Sequence, residues 1–387
     1  MSKERIGIVV FEPNFSGQGR AVVDICNQIG SRFDFYLVCQ RSNAVLHELC
    51  RVLIGGSLPL DITKIPGLDL LRARRFFKAN GVSLIHLHGF EGLLWGYALG
   101  MMTGIPVVYT PHTIDMKNRV FFFFYRLAWR ICSLHPSVLI TASHADEETM
   151  AARRIIRRAR QKTILYGIDR ARYASVSKDI PSIAACDNKK WIVQVGHLSY
   201  QKNPLCFIRA VSILAPKHDD LVFMLVGEGP LRGELRDEIV RRGLESRVLL
   251  LGYRNDALAI TRHAWVVVNT SRWEGMPFTL IDACFLGKAI VASAVNGIND
   301  LVKDGVSGLL FRPDNERDLA QKIEILLCHE SLRKELGAAA LRRVRDRFTL
   351  AEMGRQHAEV YRAVAGRNGY DRKALDVSRI PESTAVS

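Results

Sequence analysis

Ten short, unbroken apolar runs recur along the chain. They are Ile6–Phe11, Phe35–Cys39, Leu84–Leu87, Val107–Thr110, Val138–Thr141, Trp191–Val195, Val222–Val226, Val248–Leu251, Trp265–Val268 and Ala289–Ala292, most of them separated by a helix-length stretch. A strand with no polar face must be covered on both sides, which is the condition of a parallel sheet layered between helices. Ten such strands exceed one doubly wound sheet, so the pattern predicts two Rossmann-like α/β domains, as the 387-residue length allows. The break is expected within Tyr166–Lys189, a polar segment carrying Pro181 ahead of a fresh β-α start at Trp191.

No uncharged apolar stretch of about 18 residues occurs, so no transmembrane helix is expected. Met1–Arg5 leads directly into the apolar run Ile6–Val10, without the features of a secretory signal. The eight cysteines include no Cys-x-x-Cys pair and no His/Cys cluster at metal spacing, which predicts a cytoplasmic protein without structural zinc. The formal net charge is +15 and uneven: residues 1–180 carry 24 Lys/Arg against 14 Asp/Glu, residues 181–387 carry 30 against 25. The basic first half suits an anionic partner, such as a phosphorylated substrate, a nucleic acid or an anionic membrane face. An arginine-rich proteome would give the same excess.

The most informative stretch is Ser271–Ala283. A β-rich entry (Trp265–Thr270) leads to a loop with Glu274, Gly275 and Pro277, then to an apolar helix start. Strand, small-residue loop and helix in that order make an anion site, because loop amides and the helix N-terminus face the strands' carboxyl ends. Glu274 falls in the loop and Asp282 about one turn into the helix, so both can face one cleft. A capping acid plus a surface carboxylate would read the same way. Gly196-His197…Lys202 follows another strand and brings a mobile cation to a helix start. Gly227-Glu228-Gly229 and Gly252-Tyr253-Arg254 are further strand-end turns.

In the first half, Gly17 and Gly19 sit in the first β-α turn, ahead of a helix expected over Arg20–Ile29; a simple tight turn is the alternative. His88 and His112 both lie at strand ends, where open α/β sheets bind ligands, although a hydrogen-bonded structural histidine would look alike. Val120–Ile131 is strongly aromatic and edged by Arg119, Arg126 and Arg130. It suits an interfacial helix on lipid or a core helix with a basic rim. Arg153–Arg160 reads as a second basic helix, either a solvated face or an anionic-surface patch.

The order of these motifs resembles glycosyltransferase family 4, retaining nucleotide-sugar-dependent enzymes of GT-B fold. The resemblance runs through the Gly17/Gly19 turn, Gly196–Lys202, Gly227–Gly229, Gly252-Tyr253, Ser271–Asp282, Gly287–Ala292 and Asp304–Leu310, and it is strongest in the second half. It implies two Rossmann-like domains facing a central cleft. The acceptor domain would span 1–167, completed by a helix at about 350–366, and the donor domain would span 168–349. Beyond Gly366 the chain is polar, with Ser, Thr, Pro and charges, and 367–387 reads as a disordered tail.

The resemblance also implies roles. Glu274 would contact the donor sugar and Asp282 the ribose hydroxyls. The amides of Gly275, Met276, Phe278 and Thr279 would line sugar and phosphates, while Pro277 has no N–H to give. Lys202 would neutralise the leaving diphosphate, with His197, Gly227 and Glu228 beside it. Tyr253 and Arg254 belong to the loop that would receive the base. His112 would stand beside the donor sugar and His88 on the acceptor side.

Charge building on the leaving phosphate would be met by amides, a helix dipole and Lys202. No Asp-x-Asp is present, so neither a metal nor another cofactor is expected. The implied acceptor is a saccharide or a polyprenyl-diphosphate-linked sugar in surface polysaccharide or lipopolysaccharide biosynthesis, at the inner face of the plasma membrane; no nucleic-acid recognition element is apparent.

Four positions depart from the family pattern: His197 replaces an arginine, Asp282 a glutamate, Tyr166-Gly167 an Asn-Gly, and Asn296-Gly297-Ile298-Asn299-Asp300 a Gly-Gly-x-x-Glu. The alternatives are a GT-B nucleotide-sugar epimerase or phosphorylase, and a non-catalytic nucleotide-binding protein.

Overall fold

The computed structural model describes residues 3–12, 17–43, 46, 55–61, 67–89, 92–112, 123, 126, 127, 129, 137–153, 156–176, 183, 186, 189–365, 376–378, 380 and 381. The chain forms two compact units: Met1–Ile168 with Phe348–Ser387, and Asp169–Arg347.

In the first unit, strands β1 (Glu4–Val10), β2 (Phe33–Gln40), β3 (Gly56–Leu60), β4 (Leu84–His88), β5 (Val107–Thr110), β6 (Ser137–Thr141) and β7 (Gln161–Thr163) form one sheet in the order β3-β2-β1-β4-β5-β6-β7. Every neighbouring pair is parallel. Alternate residues serve opposite faces, as strand geometry demands. Ile6, Ile8 and Val10 join Phe35 and Leu37 in one core, while Val9 joins Val38, Ile85 and Leu87 in the other.

The second unit repeats the plan with β8 (Lys190–Val195), β9 (Leu221–Val226), β10 (Val248–Gly252), β11 (Val266–Asn269), β12 (Ile290–Ser293) and β13 (Leu309–Phe311), in the order β10-β9-β8-β11-β12-β13. Strand order reverses between β1 and β4 in the first sheet and between β8 and β11 in the second. These are the switch points where doubly wound sheets open a crevice at their carboxyl ends.

All ten expected strands form. Three more, β3, β7 and β13, escape the pattern. They are edge strands: Gly-Ser-Leu-Pro-Leu carries a proline, Gln-Lys-Thr is polar, and Leu-Leu-Phe has only three residues. An edge position tolerates what a central strand cannot.

The segment Arg153–Arg160 is not a second basic helix. The helix His144–Ala152 ends at Arg153, and Arg158–Arg160 is a single 3₁₀ turn leading into β7. The chain must extend from Gln161 for β7 to pair with β6. Of Val120–Ile131, most lies outside the described residues; Phe123 and Leu127 are exposed, and Trp129 is buried against Tyr109. Among the described residues no helix is long and apolar enough to cross a membrane.

The chain re-enters the first unit at Phe348, and its helix Leu350–Ala365 packs on the helix Gly17–Ile29. Gly354 permits the approach: a Cβ there would lie 2.8 Å from the Gln28 Cβ. The sequence after this helix is not wholly a free tail. Val377 is fully buried in the first core and donates its N–H to the Ala159 carbonyl at 2.8 Å. Lys162 Nζ donates to the Ile380 carbonyl at 2.8 Å and Arg355 Nη2 to that of Pro381 at 3.0 Å. Buried apolar contact and main-chain hydrogen bonds outweigh the polar composition that suggested disorder. Val377→Ala is therefore expected to destabilise the first unit by about 2 kcal/mol. Urea unfolding followed by hydrogen exchange in the first sheet would read this, and an unchanged midpoint would show that the contact contributes nothing.

Candidate functional site

The second switch point brings two loops together. One leaves β8 at Gly196 and runs through Lys202 into the helix Pro204–Leu214; the other leaves β11 and runs through Glu274 into the helix Phe278–Phe285. Lys202 and Glu274, 72 residues apart, meet here: Lys202 Nζ lies 2.5 Å from Glu274 Oε1. The same carboxylate oxygen accepts from Ser271 Oγ at 2.6 Å and faces Asn269 Nδ2 at 3.5 Å. Glu274 is buried, whereas the lysine side chain keeps 23% exposure. The carboxylate is thus locked in place, while its cation can still be reached from solvent.

Backbone contacts hold the loops in register. The Thr270 hydroxyl lies 2.8 Å from the Lys202 carbonyl and 2.9 Å from that of Asn203. Arg272 donates its N–H to the Gln201 carbonyl at 2.8 Å. Asn203 adopts a left-handed backbone (φ 50°) just after Lys202, a conformation that persists only where its surroundings enforce it.

Gly297 (φ 75°) leaves no space for a side chain: a Cβ would lie 1.7 Å from the Gly275 carbonyl oxygen. Gly297→Ala must therefore displace the Glu274–Gly275 loop. We expect it to cost more than about 3 kcal/mol and to lower activity at least tenfold. Thermal unfolding and donor turnover measured side by side would check this; wild-type values in both would mean the loop yields freely.

Most of the remaining expected donor residues sit in the same unit, on its strand-end turns and the helix Phe278–Phe285. Gly227 (φ 143°) abuts Gly196, where a Cβ would sit 2.0 Å from the Gly196 carbonyl oxygen. Glu228 pairs with Arg232 at 2.8 Å and lies against Gly252. Tyr253 is 76% exposed, and Arg254 is held by both oxygens of Asp256 at 2.8 and 2.7 Å. His197 is exposed.

Gly275 and Met276 are buried, and Phe278 and Thr279 form the first turn of their helix, whose N-terminal amides present partial positive charge. Asp282 lies in that helix and accepts from the Tyr173 hydroxyl at 2.5 Å. Asn269 and Tyr173 carried no motif signal, and Ser271, which opens the most informative stretch, carried no role. Its only local signal is a hydroxyl three residues before the acid.

In the first unit, the strand-end histidines form one buried group. His88 Nδ1 lies 3.0 Å from His112 Nε2, and His112 Nδ1 lies 2.5 Å from the Tyr166 hydroxyl. His86, unanticipated, bonds the Tyr361 hydroxyl at 2.7 Å and Thr110 Oγ1 at 2.9 Å. Burial pushes His112 down to about 3 and His357 to about 4; burial, reinforced by neighbouring histidines, holds His86 and His88 well below the usual histidine range. All four are neutral at physiological pH. Both ring nitrogens of His112 are engaged, and its backbone is left-handed (φ 62°). Gly17 and Gly19 are not a turn before a helix but its first turn, with the Gly19 N–H donating to Glu12 Oε1 at 2.6 Å. Among the described residues no group of His, Cys, Asp or Glu is arranged to hold a metal ion.

Solved structures with the same fold include Anabaena Alr3699/HepE in complex with UDP and glucose (TM-score 0.80, 22% identity, covering 92% of this chain and 98% of that one). Another is the lipopolysaccharide outer core galactosyltransferase WaaB (TM-score 0.68, 16% identity, 92% and 98%). Two doubly wound sheets of this kind are the GT-B architecture.

Family models narrow the class. One described as Glycosyltransferase Family 4 matches residues 15–172, and one described as Glycosyl transferases group 1 matches residues 176–343. They span most of both units, and the chain belongs to this family of glycosyltransferases. Among its relatives is the Escherichia coli UDP-Gal:alpha-D-GlcNAc-diphosphoundecaprenol alpha-1,3-galactosyltransferase, 28% identical over 332 residues (80% of this chain, 84% of the relative). A Campylobacter jejuni N-acetylgalactosamine-N,N'-diacetylbacillosaminyl-diphospho-undecaprenol 4-alpha-N-acetylgalactosaminyltransferase is 25% identical over 350 residues (86% and 92%).

Proposed function

We propose that this glycosyltransferase moves a sugar, with retention of configuration, from a UDP-sugar to a polyprenyl-diphosphate-linked saccharide in surface polysaccharide or lipopolysaccharide assembly. The Lys202–Glu274 pair beside a helix N-terminus carries the reading: a reachable cation and a locked carboxylate meet at the switch point of a doubly wound sheet. The names of relatives that align over most of their length support the donor and acceptor classes.

In this reading the bond between the sugar C1 and the diphosphate oxygen breaks. Lys202, with the amides of Gly275, Met276, Phe278 and Thr279, stabilises the negative charge that develops on the phosphate. Glu274 holds the sugar hydroxyls and Asp282 those of the ribose, with His197, Gly227 and Glu228 flanking the diphosphate. The base lies on the Tyr253–Asn255 loop. The acceptor oxygen attacks C1 from the side of the departing phosphate, which takes its proton. These residues act without a metal or other cofactor, and the protein works at the cytoplasmic membrane face.

The test is transfer from a panel of labelled UDP-hexoses and UDP-N-acetylhexosamines to polyprenyl-diphosphate-GlcNAc in anionic vesicles. Product with one donor, retained as the α-anomer by NMR, is the expected result. Nucleotide binding without transfer to any acceptor would favour the non-catalytic reading, and interconversion of the free nucleotide sugar would favour an epimerase.

A further inference from the structure

Resting on the donor reading above, we propose that Tyr173 is a positioning residue that sets how Asp282 recognises the ribose. Tyr173 is buried in the short helix Ala171–Ala174, and its hydroxyl donates to Asp282 Oδ1 at 2.5 Å. That length is typical of a charge-assisted O–H···O⁻ bond. The ring stacks on Phe285 at 5.0 Å with an interplanar angle of 11°. Phe285 lies three residues beyond Asp282, on the same face of the helix Phe278–Phe285. Arg262 Nη1 holds the Tyr173 carbonyl at 3.3 Å, and Lys288 Nζ in turn donates to the Arg262 carbonyl at 2.8 Å. The Tyr173 ring is therefore held by stacking on Phe285 and its main chain by the Arg262 guanidinium, and its O–H is the fixed point against which the carboxylate orients.

Aspartate is one methylene shorter than the glutamate of the family pattern, so its carboxyl group reaches less far and has less freedom to find two ribose hydroxyls. A fixed phenolic donor on Oδ1 removes the rotation of that carboxylate and directs the remaining lone pairs at one geometry. An oxygen that already accepts one hydrogen bond can accept a second, so the tyrosine orients the acid without displacing the nucleotide. The consequence is specificity for an intact ribose diol, acting through Asp282 and not through contact of Tyr173 with the reacting atoms.

Tyr173→Phe keeps the ring and its stacking and removes only the hydroxyl. Binding of UDP, 2′-deoxy-UDP and 3′-deoxy-UDP is measured by calorimetry on wild type and variant, alongside steady-state transfer. The wild type is expected to prefer UDP over each deoxy analogue by about tenfold or more. In Tyr173→Phe, UDP should bind about tenfold more weakly, the preference should shrink to within about threefold, and kcat at saturating donor should stay within about threefold. Unaltered discrimination in the variant, or equal weakening for all three nucleotides with a lowered melting temperature, overturns the assignment and leaves the donor reading standing. Failure of the wild type to bind UDP overturns the donor reading and this assignment together.

Discussion

Removing either member of the Lys202–Glu274 pair should lower sugar transfer by about 10²- to 10³-fold, the effect of deleting one preorganised charge or donor from an enzyme site. The two losses differ in kind. In the proposed reaction Lys202→Ala deletes the cation that meets the departing diphosphate, and it leaves Glu274 buried with only the neutral donors Ser271 and Asn269. Stripping one partner from a buried ion pair is destabilising by about 3 kcal/mol or somewhat less here, because the lysine is partly exposed. Glu274→Gln keeps the shape and the Ser271 contact while removing the charge, so its stability should change little and its loss should fall on turnover. Since the side chains touch, the double variant should lose much less than the product of the single losses. Steady-state transfer kinetics with urea unfolding on the three variants decide the matter. Activity within threefold of wild type in both single variants would place the reaction elsewhere.

The second large effect is on stability against acid. His86, His88, His112 and His357 are buried in the first unit, and burial depresses all four, His112 to about 3 and His357 to about 4. An unfolded histidine titrates near 6.5. Between the folded and unfolded values the unfolded chain binds more protons, so stability rises with pH and falls as the solution is acidified. From pH 7.5 to 5.5 His112 and His357 each withdraw roughly 1.4 kcal/mol, about 2.8 kcal/mol together, and His86 and His88 act in the same direction. Carboxylates held low, such as Glu352 by its hydrogen bond to Arg355, lose their contribution only at lower pH, outside this window. The urea midpoint of the first unit should therefore drop steeply over two pH units, and His357→Gln should remove roughly 1.4 kcal/mol of the dependence. Equal midpoints at pH 7.5 and 5.5 would falsify the neutral buried state of these rings.

Neutrality also bears on the site. His112 was expected beside the donor sugar, but its ring is tied on one side to Tyr166 and on the other to His88. Tyr166, the least conservative departure from the family pattern, is one of those two partners. A residue that looked like a lost Asn-Gly turn thus anchors a histidine expected to be functional.

The sequence by itself determined the doubly wound plan of both units and the identity of the loops at the second switch point. Unbroken Val/Ile/Leu runs report burial on both faces wherever they occur, and strand-glycine-helix order is local, so neither needs a distant partner to be read. Asp282 was likewise placed in its helix by spacing alone. Only the tertiary structure decided that Lys202 neutralises Glu274, that Tyr173 orients Asp282, and that Val377 belongs to the first core. It also supplied the edge strands β3, β7 and β13 and dissolved the basic helix expected over Arg153–Arg160. The reason is common to all of these. Each depends on which atoms come within about 3 Å across tens or hundreds of residues, and strand register and rotamer choice settle that only when the whole chain is packed.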